Sequence, residues 1–282
     1  MTVVFVYGTL RQGEENHFLL KDAACLARQA RTKGRLYDTK LGYPAVEAGD
    51  DGWVYGELYE VTGEQFSKLD ELEGYEEGYY DRIVQTVYTD RGEMEAWVYI
   101  AGDNKELLKE LIPNGDWCVH RLYDNCKDVY YFAYGSCMDM ERFELAGVAS
   151  HFQQMVGLAK LPDHKVRFTH LLHDGSRADI VEEDGVVEGK LYRLPLEAIE
   201  YLYKREGVGS GHYRPAVVSV EHNGRLVDRV LTFIVVNKGE EAAPPDHYAT
   251  EILRGGANVL SDDYLDELKK HITSLPGACR TS

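Results

Sequence analysis

Val54-Tyr55-Gly56-Glu57-Leu58-Tyr59 returns later in the chain as Val187-Glu188-Gly189-Lys190-Leu191-Tyr192, an offset of 133 residues. The match spreads outward from there. Leu72-Glu73-Gly74 aligns with Arg205-Glu206-Gly207, and Tyr80 with Tyr213, at the same offset of 133. Upstream, Val3-Val4-Phe5-Val6-Tyr7-Gly8-Thr9 resembles Val129-Tyr130-Tyr131-Phe132-Ala133-Tyr134-Gly135-Ser136, with Tyr7-Gly8 to Tyr134-Gly135 an offset of 127. The step from 127 to 133 places about six extra residues in a loop of the second copy. The reading is two copies of one domain, 1–122 and 128–282, joined near residues 122–128.

The remaining bulk properties agree with a folded pair. A chain of 282 residues holds one large or two small domains. Apolar residues at 44% and charged residues at 28% are ordinary for a globular protein and argue against disorder. No apolar run reaches the roughly 20 residues of a membrane-spanning helix. The N-terminal Met1-Thr2-Val3-Val4-Phe5-Val6-Tyr7-Gly8 reads as a strand, not a signal peptide. A net charge of −17 opposes nucleic acid and anionic membrane surfaces as partners. Cys25, Cys118, Cys126, Cys137 and Cys279 form no CxxC pair, which points to reduced thiols and a cytoplasmic protein. Twenty tyrosines against 8 phenylalanines imply aromatic sites that use a hydroxyl as well as a ring.

Coarse patterning gives an α+β domain dominated by strands. Residues 2–8, 33–38 and 53–60 read as strands. Thr62-Gly63-Glu64-Gln65 is a capping box that opens a helix from Phe66 to Glu73, stopped by Gly74. Residues 80–89 and 94–100 form a hairpin around Asp90-Arg91-Gly92, and Asn104 to Leu111 is a short helix closed by Pro113-Asn114-Gly115. In the second copy Pro195 sits at a helix start and Gly207 at its end. An amphipathic helix occupies Asp262 to Ile272.

The helix before Gly74 holds the chemically informative residue. With Phe66 at 0° and about 100° per residue, Leu69 falls near −60° and Glu73 near −20°. Glu73 therefore lies inside the apolar stripe, and Ile199, Leu202 and Glu206 repeat the pattern. A carboxylate there is costly unless paired or protonated. The helix C-terminus and partial burial both push its pKa up, which suits a group that takes and returns one proton. Glu73 and Glu206 are the candidate catalytic residues, against a plain surface position at a frayed helix end.

Each copy also has a glycine loop directly after an apolar strand: Tyr7-Gly8-Thr9-Leu10 and Tyr134-Gly135-Ser136-Cys137-Met138. Glycine there permits positive φ or close backbone approach. Backbone N–H groups of such a turn can hold a carboxylate or a developing oxyanion. An ordinary strand-ending turn is the bland alternative. Cys137 as a nucleophile, with His151, His164 or His170 as base, is a competing chemistry. A metal site from His164, His170, His173 and Asp174 matches no zinc spacing, and a polar β-hairpin fits that stretch better; no metal or cofactor is expected.

Taken in order, the motifs resemble the gamma-glutamylcyclotransferase family over nearly the whole chain. The first copy carries Tyr-Gly-Thr-Leu at the first strand, Gly42-Tyr43-Pro44-Ala45-Val46, Leu69-Asp70-Glu71-Leu72-Glu73-Gly74-Tyr75, Tyr80-Asp81-Arg82 and Ile112-Pro113-Asn114-Gly115-Asp116-Trp117. The second carries Tyr131-Phe132-Ala133-Tyr134-Gly135-Ser136, Arg205-Glu206-Gly207-Val208 and Tyr248, Ile252, Gly256-Ala257, Tyr264 and Leu268. The resemblance implies two tandem small mixed β-barrels with short flanking helices. It implies loss of 5-oxoproline and a free amine from a small-molecule γ-glutamyl substrate, with Glu73 and Glu206 as acid/base. The Tyr-Gly loops would cradle the amino-acid head, and Tyr80 and Tyr213 would contact substrate. Tyr203 in place of Asp, and Cys137 in place of Asn, depart from the family pattern in the second copy. Two inherited pockets that bind a γ-glutamyl metabolite without turnover are the alternative.

Overall fold

The structure, a computed structural model, describes residues 1–124 and 126–277. It divides into two compact units, Met1–Arg121 and Leu122–Ser282. Cys279 lies outside the described residues. The four described cysteines are free thiols.

The first unit contains β1 (Thr2–Val6), β2 (Ala24–Lys33), β3 (Arg35–Asp38), β4 (Pro44–Glu47), β5 (Trp53–Val61), α1 (Gly63–Glu73), β6 (Asp81–Thr89), β7 (Gly92–Ile100) and β8 (Glu110–Leu111). α2 (Trp117–Leu122) spans the boundary to the second unit. The second unit contains β9 (Asp128–Ala133), α3 (Met140–Leu145), β10 (Met155–Leu172), β11 (Gly175–Pro195), α4 (Glu197–Arg205), β12 (Tyr213–His222), β13 (Arg225–Val235), α5 (Asp246–Gly256) and α6 (Asp262–Ser274).

Each unit closes a five-stranded barrel, one in the order β1-β5-β2-β6-β7 and the other β10-β11-β9-β13-β12. With β9 taken as β1, β11 as β5 and β10 as β2, the two orders are the same. Both barrels are mixed for one reason. β1 pairs β7 in parallel and β9 pairs β13 in parallel, while the other rungs are antiparallel.

Gly56 and Gly189 show why the motif that reveals the repeat is glycine-centred. A Cβ on Gly56 would sit 2.2 Å from the Val6 carbonyl oxygen and 2.7 Å from the Phe5 ring. A Cβ on Gly189 would sit 2.5 Å from the Ala133 oxygen and 2.7 Å from the Phe132 ring. Phe5 and Phe132 are fully buried core residues. Each barrel thus closes with a phenylalanine lying over a glycine, a close approach that no side chain allows.

α1 forms as its ends dictate. Thr62 Oγ accepts from Gln65 N–H at 3.2 Å, and Gln65 Oε1 accepts from Thr62 N–H at 2.9 Å, so the box is complete. Gly74 adopts φ 61°, ψ 41°, and its N–H returns to the carbonyls of Asp70 and Glu71. Leu69 is the helix's fully buried anchor.

Several expectations are corrected. The stretch from Asn104 to Leu111 is one turn of 3-10 helix, Lys105–Leu107, followed by β8. Pairing of Leu111 with Tyr37 draws it into the β4-β3-β8 sheet, so non-local pairing overrides local helix propensity. Pro195 ends β11, and α4 begins two residues later at Glu197. The extra length of the second copy is chiefly strand. Ala30 opposes Gly56 and Ala159 opposes Gly189, and the second hairpin between these partners is four residues longer. β2 joins residue 33 into a longer strand, and α5 has no counterpart in the secondary-structure reading.

Candidate active sites

In the first unit a cavity of about 380 Å³ opens between the loop after β1 and the C-terminus of α1. Tyr7, Gly8, Thr9, Leu10, Glu73 and Tyr80 all line it. Six sequence-predicted residues from three separated segments therefore meet at one place. Glu73 is half-buried and makes no hydrogen bond or ion pair among the described residues. Burial alone pushes its carboxyl from the ordinary 4.5 up to about 7. Tyr7, Tyr43, Tyr80 and Tyr99 all have raised phenol pKa values, with burial the main cause and the Glu73 charge an additional one. Four phenols thus surround one carboxyl, and all of them remain protonated donors at neutral pH.

The tyrosine hydroxyls hold the frame. Tyr7 donates to the Tyr99 carbonyl at 2.8 Å, and Tyr80 donates to the Pro44 carbonyl at 2.9 Å. Gly8 is required by contact, not by φ: a Cβ there would lie 2.7 Å from Pro44 Cγ. The Thr9 and Leu10 amides have no acceptor among the described residues, and both residues face the cavity. They are free to bind an anionic or developing oxyanionic group.

Behind the first site, Asp70 pairs with Arg82 and accepts from the Tyr99 hydroxyl at 2.8 Å. The Arg82 guanidinium also stacks 4.1 Å from the Tyr75 ring centre. In the second unit the equivalent positions are Tyr203, Pro215 and Phe233. Tyr203 meets the Phe233 ring edge-on at 5.8 Å, and its hydroxyl bonds Tyr123 at 3.1 Å. The departure at Tyr203 is thus one part of a concerted exchange of an ion pair for aromatic packing.

The second site has the same plan with a different interior. Tyr134 donates to the Phe233 carbonyl at 2.6 Å, and Tyr213 donates to the Ala178 carbonyl at 2.7 Å. Glu206 precedes Gly207, which adopts φ 62°. Burial raises the Glu206 pKa, and Arg205 and the Cys137 thiol oppose that rise. The thiol donates to Glu206 Oε1 at 3.2 Å. Arg205 donates from Nε to Cys137 Sγ at 3.1 Å and from Nη2 to Ser136 Oγ at 2.9 Å. An inner pocket of about 30 Å³ holds Tyr134, Gly135, Ser136, Cys137, Glu206 and Tyr213. A mouth of about 250 Å³ lies outside it. Tyr248 of α5 closes the back, with its hydroxyl 3.3 Å from where a Gly135 Cβ would be.

Met138 is the exception among the proposed contacts. Its side chain is wholly buried in the core; its N–H donates to the Gly135 carbonyl at 3.0 Å, and its carbonyl accepts from Lys190 Nζ at 2.8 Å. Cys137 does not have the setting of a nucleophile. Burial and the Glu206 charge push its thiol up to about 12. His164 is buried and bonds the Pro162 carbonyl at 2.8 Å, whereas His170 lines the outer mouth beside His212, with ring centres 4.9 Å apart. Among the described residues no group of three His, Cys, Asp or Glu side chains is placed to hold a metal ion. No helix among them is long and apolar enough to cross a membrane.

The glutamates and glycine loops singled out in the sequence come together in both units, and other side chains form the walls around them. Tyr43, Tyr79 and Tyr99 complete the first cavity; Arg205, His170, His212 and Tyr248 complete the second. Arg205 was visible as the residue aligned with Leu72, one place before the repeated glutamate.

Residues 4–119 match the family model for gamma-glutamyl cyclotransferase, AIG2-like, and residues 186–268 match that of the AIG2-like family. YkqA of Bacillus subtilis (strain 168), itself named for the gamma-glutamylcyclotransferases, is 47% identical over 277 residues, 98% of this chain and 99% of that one. Its crystal structure superposes with a TM-score of 0.91 at 45% identity, covering 98% of this chain and 99% of YkqA. The gamma-L-glutamyl-butirosin B gamma-glutamyl cyclotransferase of Niallia circulans is 38% identical over 127 residues, 43% of this chain and 79% of that enzyme. The two barrels are therefore tandem copies of one domain, and the chain belongs to the gamma-glutamylcyclotransferase family.

Proposed function

We propose that each barrel cyclises a small γ-glutamyl amide, releasing 5-oxoproline and a free amine, with Glu73 and Glu206 as the respective acid/base groups. The family membership supports a cyclotransferase acting on small γ-glutamyl molecules. The Niallia circulans relative, named for gamma-L-glutamyl-butirosin B, supports a small γ-glutamyl compound as substrate. One observation carries the reading of the residues. A carboxyl raised by burial stands opposite a glycine loop in both barrels, on the same turn of the same helix.

The chemistry needs no protein nucleophile. The substrate's α-amine attacks its own γ-carbonyl carbon, and the site's task is to hold the folded conformer. The glutamate takes a proton from the attacking nitrogen as the new C–N bond forms. The carbonyl oxygen becomes an oxyanion beside the loop amides, Thr9 and Leu10 in the first barrel. The glutamate then gives the proton to the departing nitrogen as the old C–N bond breaks. A pKa of about 7 serves both directions at neutral pH.

The tight inner pocket of the second barrel, with Glu206 held by Cys137, favours a second reading for that unit: retained binding with slow or no turnover. The test is 5-oxoproline release from a panel of γ-glutamyl compounds by wild type, Glu73→Gln, Glu206→Gln and the double variant, all verified as folded. Loss in one single variant assigns the working barrel. Turnover surviving in the double variant refutes the acid/base assignment. Activity confined to Glu73, with γ-glutamyl ligand still bound by the second barrel, supports the binding-only reading there.

A further inference from the structure

Around the common γ-glutamyl head, the two sites have walls of opposite charge. Glu15, Glu71 and Glu77 are exposed at the rim of the first cavity, with Glu73 deeper inside. No lysine, arginine or histidine among the described residues lines it. Its other walls include Tyr43, Tyr79, Tyr80 and Tyr99, whose ring faces also favour a cation. The second mouth is lined by Arg142, Arg177 and Arg205 and by His170, His212 and His247. Its carboxylates are Glu206 and Glu251, and Arg142 already engages Glu251 at 3.2 Å.

Part of that positive wall is compensated from outside. Asp174 holds Arg177 through two contacts at 2.9 and 3.0 Å. Two features still favour an anion. The Arg142 Nε is buried and has no acceptor among the described residues. The shift towards positive charge also falls at matched positions. Leu72 corresponds to Arg205, Glu77 to Ser210 and Tyr79 to His212 at the repeat's own offset of 133. Tyr79 and His212 are equivalent in structure as well. Each sends its N–H to the carbonyl of the helix-ending glycine, at 2.9 and 3.1 Å. Burial lowers the His170 pKa, and the neighbouring His212 and Arg177 lower it further.

Resting on the function proposed above, we infer that the chain sorts γ-glutamyl compounds by the charge of the amine released. The Glu73 site takes amines that carry a further positive charge, and the Glu206 site takes amines that carry an acid group. A leaving group with a cationic tail meets an acidic, tyrosine-rich rim in one barrel. One with a carboxylate tail meets guanidinium and imidazole donors in the other. The shared head cannot discriminate, so selection rests on the tail.

Three γ-glutamyl amides of matched length test this: those of 1,5-diaminopentane, n-hexylamine and 6-aminohexanoate. Their kcat/KM values are measured with Glu206→Gln, which leaves the first site intact, and with Glu73→Gln, which leaves the second. The first variant is expected to prefer the cationic over the anionic tail by on the order of tenfold at low ionic strength, and the second to reverse the order. Both ratios should shrink with added salt. Glu71→Gln with Glu77→Gln should flatten the first preference; Arg142→Gln should flatten the second, as should the milder His212→Tyr. The same order in both variants, or ratios indifferent to salt, overturns the inference while leaving the reaction itself established. If no compound is turned over, the reaction is refuted, and calorimetric binding of the three compounds decides the sorting. Cation affinity lost only in the rim-glutamate variant, and anion affinity only in Arg142→Gln, sustains it. Affinities indifferent to both changes overturn it.

Discussion

Replacing Glu73 with glutamine should stabilise the first barrel above neutral pH. Burial raises this carboxyl from 4.5 to about 7, and no bond among the described residues offsets that cost. Between those values the folded state holds a proton that the unfolded chain has released. Stability therefore falls as pH rises through this window, and the full penalty is present above pH 7. The rise corresponds to about 3 kcal/mol at roughly 1.4 kcal/mol per pH unit. Solvent reaching the half-buried carboxyl trims it, and ~2 kcal/mol is the working figure. Glutamine has the same shape and no charge, so it removes the penalty. For a unit of about 121 residues, that is a rise of roughly 8 °C in its thermal transition at pH 8, and almost none at pH 4. Calorimetric scans of wild type and Glu73→Gln at both pH values measure it, with the second barrel's transition as an internal reference. An unchanged or lowered transition at pH 8 would refute a carboxyl held in a low-dielectric site. It would also remove the physical basis for the proton-shuttle role proposed for it.

Other outcomes follow from the same geometry. With only the first site working, in Glu206→Gln, the acid limb of kcat/KM should fall at about pH 7, because the free carboxylate must accept the first proton; a flat profile between pH 5 and 8 contradicts it. Arg205→Leu should move the acid limb of the second site to higher pH, since the guanidinium, 3.8 Å from the carboxylate, now opposes the burial shift; an unmoved limb contradicts it. Cys137→Ser should keep activity within about fivefold, because a hydroxyl can still donate to Glu206; abolition of turnover would instead assign the sulfur a chemical role. Gly56→Ala should cost at least ~3 kcal/mol and abolish the first barrel's cooperative transition, as its Cβ would overlap the Val6 carbonyl at 2.2 Å.

Much of the site was legible because its signals are local. Thr62 and Gln65 fix the start of α1 and Gly74 its end, so the angle of Glu73 follows from counting residues. The walls were illegible because they are assembled from distant strands. β2 hides its alternation behind register shifts between Cys25 and Ala27 and between Ala27 and Ala30. α5, which carries Tyr248, ends in two glycines that lower its helix propensity. Gly255 is there for packing. A Cβ on it would lie 2.7 Å from the Asp139 backbone nitrogen, on the loop that follows Gly135. The residue that weakens the helix signal is the one that lets the helix close the second site.

The two barrels also separate what the chemistry requires from what the fold permits. Tyrosine, glycine, glutamate and a second tyrosine recur at the site, and both tyrosines keep their bonds: Tyr7 and Tyr134 to the strand carbonyl, Tyr80 and Tyr213 to the opposing hairpin. Behind them the charges have been rewritten in sets. Arg11 lies between Glu57 and Asp116 in the first unit. Its counterpart is Met138, and the counterpart of Glu57 is Lys190, whose ammonium binds the Met138 carbonyl. The cation has moved to the opposite strand and still reaches the same loop. Asp70, Arg82 and Tyr99 have likewise gone together to Tyr203, Pro215 and Phe233. Single exchanges would have left a buried charge without its partner, at a cost of several kcal/mol, about 3–5. Concerted exchange avoids that intermediate cost in the final state, so each support is free to vary only as a unit. The rim residues are bound by no such coupling: Glu15, Glu71 and Glu77 are exposed and can change one at a time. Divergence between the sites should therefore be fastest at the rim, where the proposed leaving amine would be met, and slowest at the glutamate and its loop.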